Sequence, residues 1–364
     1  MRILITGICG FVGSTLAKAW LEAQPGVVIC GLDNFSRQGS EQNRALLVRL
    51  GVKLYHGDIR VASDFETLPQ VDWVIDAAAN PSVLAGVDGL TSSRQLIEHN
   101  LLGTVNILEH CKRHGAGFIL VSTSRVYGIA PLAGAAVEER GGAFQLAPGQ
   151  ELPPGLSAAG VSERFSTAPP ISLYGSSKLA SETLALEYGE TFGFPVWINR
   201  CGVLAGAGQF GRADQGIFAF WINSWLRRAP LSYIGFGGRG YQVRDCLHPR
   251  DLIPLLMRQT AAAGPAAAGP TGLCPPRVLN LGGGNGNAMS LAQLSAWCRG
   301  RYGDHAVAAV PQMRRFDIPW LVMDAALAGE SWDWRPETPL EAILEEIALH
   351  AEGHPEWLEM SGVP

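Results

Sequence analysis

The sequence predicts an α/β chain, a doubly wound parallel sheet with helices on both faces and a smaller C-terminal lobe. Three observations carry that prediction. The apolar run Ile3-Leu4-Ile5-Thr6 stops at Gly7, and Gly7, Gly10 and Gly13 stand at the spacing G-x-x-G-x-x-G. Apolar residues then continue at helical spacing through Phe11, Val12, Leu16, Ala17, Trp20 and Leu21. Beyond them, strand-like and helix-like segments alternate as far as Asn199, the pattern of parallel strands joined by crossover helices.

The order strand, glycine turn, helix is the context a dinucleotide-binding turn needs. Gly7 permits the turn, Gly10 lets backbone approach a pyrophosphate, and Gly13 lets helix and strand pack closely. The helix start then offers free N–H groups to phosphate oxygens. A second strand, Val27 to Leu32, ends at Asp33-Asn34. An acid about 20 residues beyond the glycines suits the ribose hydroxyls of a dinucleotide, although an Asp also caps ordinary loops. Asp33 would repel a 2′-phosphate, which favours NAD over NADP; Arg37 nearby argues the other way.

A helix is expected over Gln42–Arg49 and a third strand over Val52–His56, ending at Gly57-Asp58-Ile59. Asp58 and Ile59 stand where a strand end would meet the adenine. The strand Trp73–Asp76 runs into Ala77, Ala78 and Ala79, small enough for close cofactor approach or merely for packing. A helix from about Gln95 to His114 contains Asn100, and the strand Phe118–Val121 ends in Ser122-Thr123-Ser124. From Ile129 to about Pro170 periodicity dissolves, as in a covering loop or a partly disordered segment. A helix from Tyr174 to Phe192 and the strand Val196–Asn199 follow. Thr260–Pro276 is low-complexity and reads as a surface insertion, and Leu340–His350 closes as an amphipathic helix.

With 364 residues, 47% of them hydrophobic and 17% charged, the chain reads as globular with a sizeable core. A net charge of −5 gives no electrostatic case for nucleic acid or an anionic membrane as partner. No uncharged apolar run reaches the roughly 18 residues of a membrane span. A strand starting at Arg2 leaves no room for a cleaved signal peptide. The seven cysteines are scattered without metal-type pairs and read as core residues of a cytoplasmic protein. His110 and His114 share a helix face at a spacing that suits a metal, but a solvated face is the plainer reading and no metal is expected.

Tyr174 and Lys178 lie one helical turn apart on a common face. A free phenol, with a pKa of about 10, is too weakly acidic to serve as a base at neutral pH. A neighbouring ammonium favours the phenolate. Thr123, on a strand end, would share the hydrogen bond of a substrate alcohol. Alone, Tyr-x-x-x-Lys is better read as a surface pair. After the glycine turn and the Ser-Thr strand end, it reads as a site that deprotonates an alcohol while NAD takes hydride.

The motifs TGICGFVGS (Thr6–Ser14), LDNFSR (Leu32–Arg37), HGDIR (His56–Arg60), AAANPSV (Ala77–Val83), NLLGTVNILE (Asn100–Glu109), STSRVYG (Ser122–Gly128) and YGSSK (Tyr174–Lys178) resemble the extended short-chain dehydrogenases/reductases. These are Rossmann-like, NAD-dependent nucleotide-sugar epimerases and dehydratases. The segments Gly208–Gly216, Gly240–Leu252 and Arg315–Asp324 resemble the CDP-paratose (CDP-tyvelose) 2-epimerase branch. The resemblance implies Thr123, Tyr174 and Lys178 as the catalytic set. It implies Gly7, Gly10, Phe11, Val12, Gly13, Asp33, Asn34, Asp58, Ile59, Ala77, Ala78, Ala79, Asn100 and Ser122 around NAD, with Tyr174 and Lys178. Arg200, Gln209, Gln215, Arg244 and Arg314 would meet the nucleotide sugar, with Arg244 and Arg314 on its diphosphate. A guanidinium suits that role, although both arginines also read as surface charges.

The same resemblance implies residues 1–200, with 244–282 returning, as the NAD-binding domain, and 201–243 with 283–364 as the substrate lobe. It also implies a homodimer through the helices near Gln95–His114 and Tyr174–Phe192. Dehydratases of the group carry Asp-Glu directly after the catalytic Thr, and sugar-acid decarboxylases carry a Glu two residues after it. This chain has Ser124 and Arg125 there. Elimination needs such acids, so epimerisation through a transient ketone is expected, at carbon 2, with the 129–170 segment as lid. The alternatives are epimerisation at carbon 4 of a UDP-sugar, net dehydrogenation, and a redox-sensing binding protein. Ala205-Gly206-Ala207-Gly208 stands where many relatives have Tyr-Gly-Pro-Arg.

Overall fold

The computed structural model describes residues 1–87, 89, 92–262 and 275–362. The amino-terminal half builds β1 (Arg2–Thr6), α1 (Phe11–Ala23), β2 (Val28–Asp33), α2 (Gln42–Arg49), β3 (Lys53–His56), β4 (Trp73–Asp76), α3 (Ser93–Ile97), α4 (Gly103–His114) and β5 (Gly117–Thr123). Next come α5 (Ile129–Gly134), β6 (Val137–Arg140), β7 (Ala143–Leu146), β8 (Leu156–Ser157), β9 (Gly160–Val161), α6 (Ser172–Phe192), β10 (Val196–Cys201) and β11 (Val203–Leu204). The remainder is α7 (Ile217–Leu226), β12 (Leu231–Ile234), β13 (Val243–Leu247), α8 (Ile253–Ala261), β14 (Val278–Leu281), β15 (Ala288–Ser290) and α9 (Leu291–Tyr302). It ends with β16 (Val307–Val310), β17 (Trp320–Leu321), α10 (Ala326–Trp332), α11 (Leu340–Gly353) and α12 (Trp357–Met360).

Seven strands form one sheet in the order β14-β10-β5-β4-β1-β2-β3, every pair parallel. Its strands are apolar on both sides because both faces are covered. Ile3, Ile5, Ile29, Ile75 and Ile119 pack on one face. Leu4, Cys30, Val74, Phe118 and Ile198 pack on the other. The chain reverses direction between β1 and β4, so the carboxyl ends of those strands open a crevice, the place where ligands bind such sheets.

A second sheet joins β11, β13, β15 and β17, and α7, α9 and α11 pack beside it through Trp221, Leu294 and Ile347. Val243–Leu247 belongs to this second sheet, and the return to the large one is made by β14.

Three expectations are corrected. The 129–170 segment is neither disordered nor structureless. It holds α5 and two short hairpins, β6/β7 and β8/β9, whose Leu156, Val161 and Phe165 pack against Trp320, Val322 and Met323. The helix around Asn100 is interrupted by a π turn over Glu98–Leu102. His110 lies in the core rather than on a solvated face, 1% exposed, its ring 4.6 Å from that of His114.

Among the described residues no group of three metal-capable side chains forms, and no helix is long and apolar enough to cross a membrane. Six cysteines are buried and free. Cys274 and most of Thr260–Pro276 lie outside the described residues.

Candidate active site

The glycine turn is held by its geometry. Gly7 has φ +63°, and a Cβ there would lie 2.9 Å from Ala78 Cα. A Cβ on Gly13 would lie 2.7 Å from Ile8 Cα and press on the Gly7 carbonyl oxygen. Gly10 caps α1 without any side-chain hydrogen bond, so side chains do not use up the N–H groups of the first turn. Asp33 accepts the Cys9 N–H at 2.8 Å and the Phe35 N–H at 2.8 Å. Burial raises its carboxyl above the usual range while the backbone donors pull the other way. Arg37 is committed to the Phe210 carbonyl rather than to Asp33.

Asn34 donates to Asp58 at 2.9 Å. The Arg60 guanidinium, 2.6 Å from Asp58, holds that carboxyl far below its ordinary value. Ile59 is buried at the start of the next turn. A crevice with an uncapped helix start, two glycines that exclude a side chain and an acid at the end of β2 fits a dinucleotide.

A cavity of about 500 Å³ continues from this crevice. Val12, Ala77 and Ala79 line it together with Thr123, Arg125 and Tyr174 and with Gln209, Gln215, Arg244, Arg314 and Asp317. Five residues far apart in sequence and expected at the site, Thr123, Tyr174, Gln209, Arg244 and Arg314, are therefore brought together. Tyr174 is 7% exposed. Burial pushes its phenol above the ordinary value, opposed first by a hydrogen bond with Thr123 and then by the charge of Arg125. The Thr123 hydroxyl also accepts the Arg125 N–H at 3.2 Å. Lys178 is the cation expected to ease deprotonation; the charge that opposes the rise at Tyr174 in this structure is that of Arg125. Lys178 lies deep on α6, 2% exposed, lowered by its burial and opposed by the charges of Asp76 and Glu182.

Two expected contacts fall away. Arg200 is no substrate ligand. Its Nη2 lies 2.6 Å from Glu182, its Nε bonds both oxygens of the same carboxylate, and its Nη1 donates to the Tyr127 hydroxyl. Both charges of this pair are buried, at 9% and 2% exposure. Asn100 faces the protein rather than a ligand. It accepts the Asn80 N–H at 2.8 Å and donates to the Asn80 carbonyl and the Ser177 hydroxyl. The π turn that carries it leaves its own carbonyl to accept from Thr104 and Ser181. Ser122 lines the cavity but donates its hydroxyl to Glu182.

None of the described cavity residues comes from 129–170; the loop residues that line it include Pro81, Val83, Leu84, Ala213, Asp214 and Arg315. Sequence reasoning also missed Asp317, which accepts from Arg244 Nη2 at 3.2 Å, and the apolar wall of Phe218 and Trp221 on α7. Both lie in or beside the segments that carry the resemblance, which was the available signal.

A parallel sheet with a glycine turn at its switch point and a Thr-Tyr pair in the adjoining cavity defines an NAD-dependent enzyme acting on an alcohol carbon. The comparisons agree. The NAD dependent epimerase/dehydratase family matches residues 3–269, and the chain belongs to it. It is 30% identical to a CDP-paratose 2-epimerase of Salmonella typhi over 81% of this chain and 82% of that protein. It is 26% identical to UDP-glucuronate 4-epimerase 4 of Arabidopsis thaliana, over 95% of this chain and 74% of that one. A solved UDP-glucuronic acid 4-epimerase of Bacillus cereus, in complex with UDP-glucuronic acid and NAD, superposes with a TM-score of 0.75. It is 25% identical and covers 97% of this chain and 99% of its own.

Proposed function

We propose that the chain epimerises a nucleotide-diphosphate sugar, oxidising one ring carbon and reducing it again from the other face. The finer reading is carbon 2 of CDP-paratose/CDP-tyvelose. NAD, when bound, supplies the oxidant and then returns the hydrogen. Thr123 holds the Tyr174 hydroxyl in the cavity, where Tyr174 would take the proton of the sugar alcohol and give it back. Arg244 and Arg314, in the wall of the same cavity, suit the diphosphate. Burial of Tyr174 keeps water from the ketone stage.

One observation carries the choice against elimination. The only carboxylates among the described cavity residues are Asp214 and Asp317. Asp317 is bonded to Arg244, and beside Tyr174 stand Ser124 and Arg125. Asp214 carries its charge toward Arg37, and among the described residues the position directly after Thr123 offers no acid to take a second proton from the sugar.

The test is to incubate the holoenzyme with CDP-paratose, CDP-tyvelose and UDP-glucuronate and follow the ring protons by NMR. Inversion at one carbon without accumulating NADH supports the reading; an unsaturated sugar or net NADH overturns it. Epimerisation at carbon 4 of a UDP-sugar is the second reading, favoured by the uronate 4-epimerases among its relatives. Pairing of two copies through α4 and α6 belongs to the same reading. Leu102, Leu173 and Phe192 are 43%, 37% and 45% exposed there, and sedimentation of the purified protein checks it.

A further inference from the structure

Arg125 has no role in what precedes beyond the charge it places near Tyr174, yet the fold goes to some length to hold it. Its N–H is fixed on Thr123. Its carbonyl oxygen fills the space where a side chain on residue 175 would stand, which Gly175 leaves open. The turn carrying Arg125 is thereby clamped to the start of α6, next to Tyr174. The guanidinium forms part of the cavity wall with Tyr174, Arg244 and Asp317. Its Nη1 is shielded from solvent and has no hydrogen-bond partner among the described residues.

The surrounding charges do not satisfy it. Arg244 carries the same sign, and Asp317, the nearby acid, is already bonded to Arg244 at 3.2 Å, to the Ile318 N–H at 2.9 Å and to Gln242 at 3.4 Å. Asp245 also acts on Arg244, so the acids nearby are drawn to Arg244 more than to Arg125. A buried guanidinium nitrogen without an acceptor is costly; Nη1 itself is covered, and it is the rest of the half-buried Arg125 side chain that meets the cavity.

We infer that Arg125 binds the sugar of the nucleotide sugar, its cavity-lining guanidinium donating to an acceptor oxygen and holding the ring against Tyr174. This rests on the epimerase reading and adds the residue that selects and positions the sugar. The acceptor is a hydroxyl of a neutral sugar or the carboxylate of a uronic acid. A planar fork serves either, and a carboxylate can be gripped by two of its nitrogens. A sugar that lacks an oxygen there would leave the guanidinium unpaired and bind poorly.

The experiment is calorimetric titration of the NAD-loaded protein and its Arg125→Met and Arg125→Lys variants. The ligands are CDP-paratose, UDP-glucuronate and the sugar-free CDP and UDP. In Arg125→Met, affinity for the bound nucleotide sugar falls about 10- to 100-fold, the range for a hydrogen bond from a charged group, while affinity for CDP or UDP stays within twofold. Arg125→Lys, which keeps the charge and loses the fork, recovers part of the loss for a hydroxyl and less for a carboxylate. A neutral or an acidic sugar showing the effect tells which acceptor is used. Equal losses for nucleotide sugar and free diphosphate would make Arg125 a diphosphate ligand and overturn the inference, as would no loss at all. Should Arg125→Met not fold, Arg125→Lys decides alone, and wild-type sugar affinity in it refutes the contact. If the wild type binds no sugar more tightly than its diphosphate, the epimerase reading fails first, and visibly so.

Discussion

Arg200 offers the sharpest test of the site's boundary, because sequence places it beside the substrate and the structure places it in the core. Its guanidinium makes three bonds to Glu182, at 2.6, 3.0 and 3.2 Å, and one to Tyr127 at 3.2 Å. The Tyr127 hydroxyl in turn donates to Asn280 at 2.6 Å, and Ser122 donates to Glu182 at 2.5 Å. Arg200→Met leaves the Glu182 carboxylate, 2% exposed, with one hydroxyl in place of a cation. Removing one partner of such a buried pair costs about 3–5 kcal/mol, whereas replacing both by apolar residues is often neutral. Arg200→Met should therefore lower the unfolding free energy by about that amount, and Arg200→Met/Glu182→Leu should recover most of it. Urea unfolding followed by tryptophan fluorescence reads this, with ten tryptophans as reporters. The folded fraction of each variant should keep its KM for the nucleotide sugar within about twofold, since the pair lies outside the cavity. A single variant that keeps its stability but raises KM tenfold would refute the assignment and return Arg200 to the substrate.

Other consequences are as direct. Tyr174→Phe should cut turnover by about 10²–10⁴-fold, the usual contribution of a positioned acid–base group, while the purified protein keeps its bound NAD, measured by mass spectrometry. Gly13→Ala should lose NAD or fail to fold, because the added Cβ meets the backbone of Gly7 and Ile8 rather than flexible side chains; NAD content after purification checks it. Burial lowers His110, His248 and His350 from 6.5 to about 4. The unfolded chain binds these protons first, so the histidine contribution falls as pH drops from about 6.5 to about 4 and is fully present above that window. Asp245, raised by burial to about 7, gains stability over the same fall in pH and opposes it, so the histidine part is read as the difference between wild type and variant. His110→Leu should remove one of the three contributions, so the wild-type urea midpoint should fall relative to the variant's as pH drops over the same range.

The glycine turn, six of the seven strands and the helical face shared by Tyr174 and Lys178 were legible because each is a local requirement: a positive φ, a run of apolar residues, a one-turn spacing. What escaped depends on partners far away in the chain. The sequence places Arg200 at a strand end that approaches the site, and nothing nearby reveals that Glu182, on α6, reaches it first. Lys178 stands one turn from Tyr174, as the four-residue spacing implies, but its depth was not legible. Burial and the pull of Asp76 and Glu182 are properties of the packed helix. Strands of two to four residues over 137–161 carry too little periodicity to read. They exist because Val161 exchanges backbone hydrogen bonds with Val322 and Asp324, a separation no local pattern can signal.

That last set of bonds reaches beyond the hairpins themselves. Asn280, on the outermost strand of the large sheet, donates its side-chain amide to the Val161 carbonyl and its backbone N–H to the Glu163 carboxylate. Ser290, at the end of the second sheet, donates to the Gly142 carbonyl. The stretch from 141 to 163 is thus sewn to both sheets at once and works as a gusset between them. A loop grafted or deleted there would loosen the joint that fixes Arg244 in the cavity it shares with Tyr174, and so disturb chemistry it never touches.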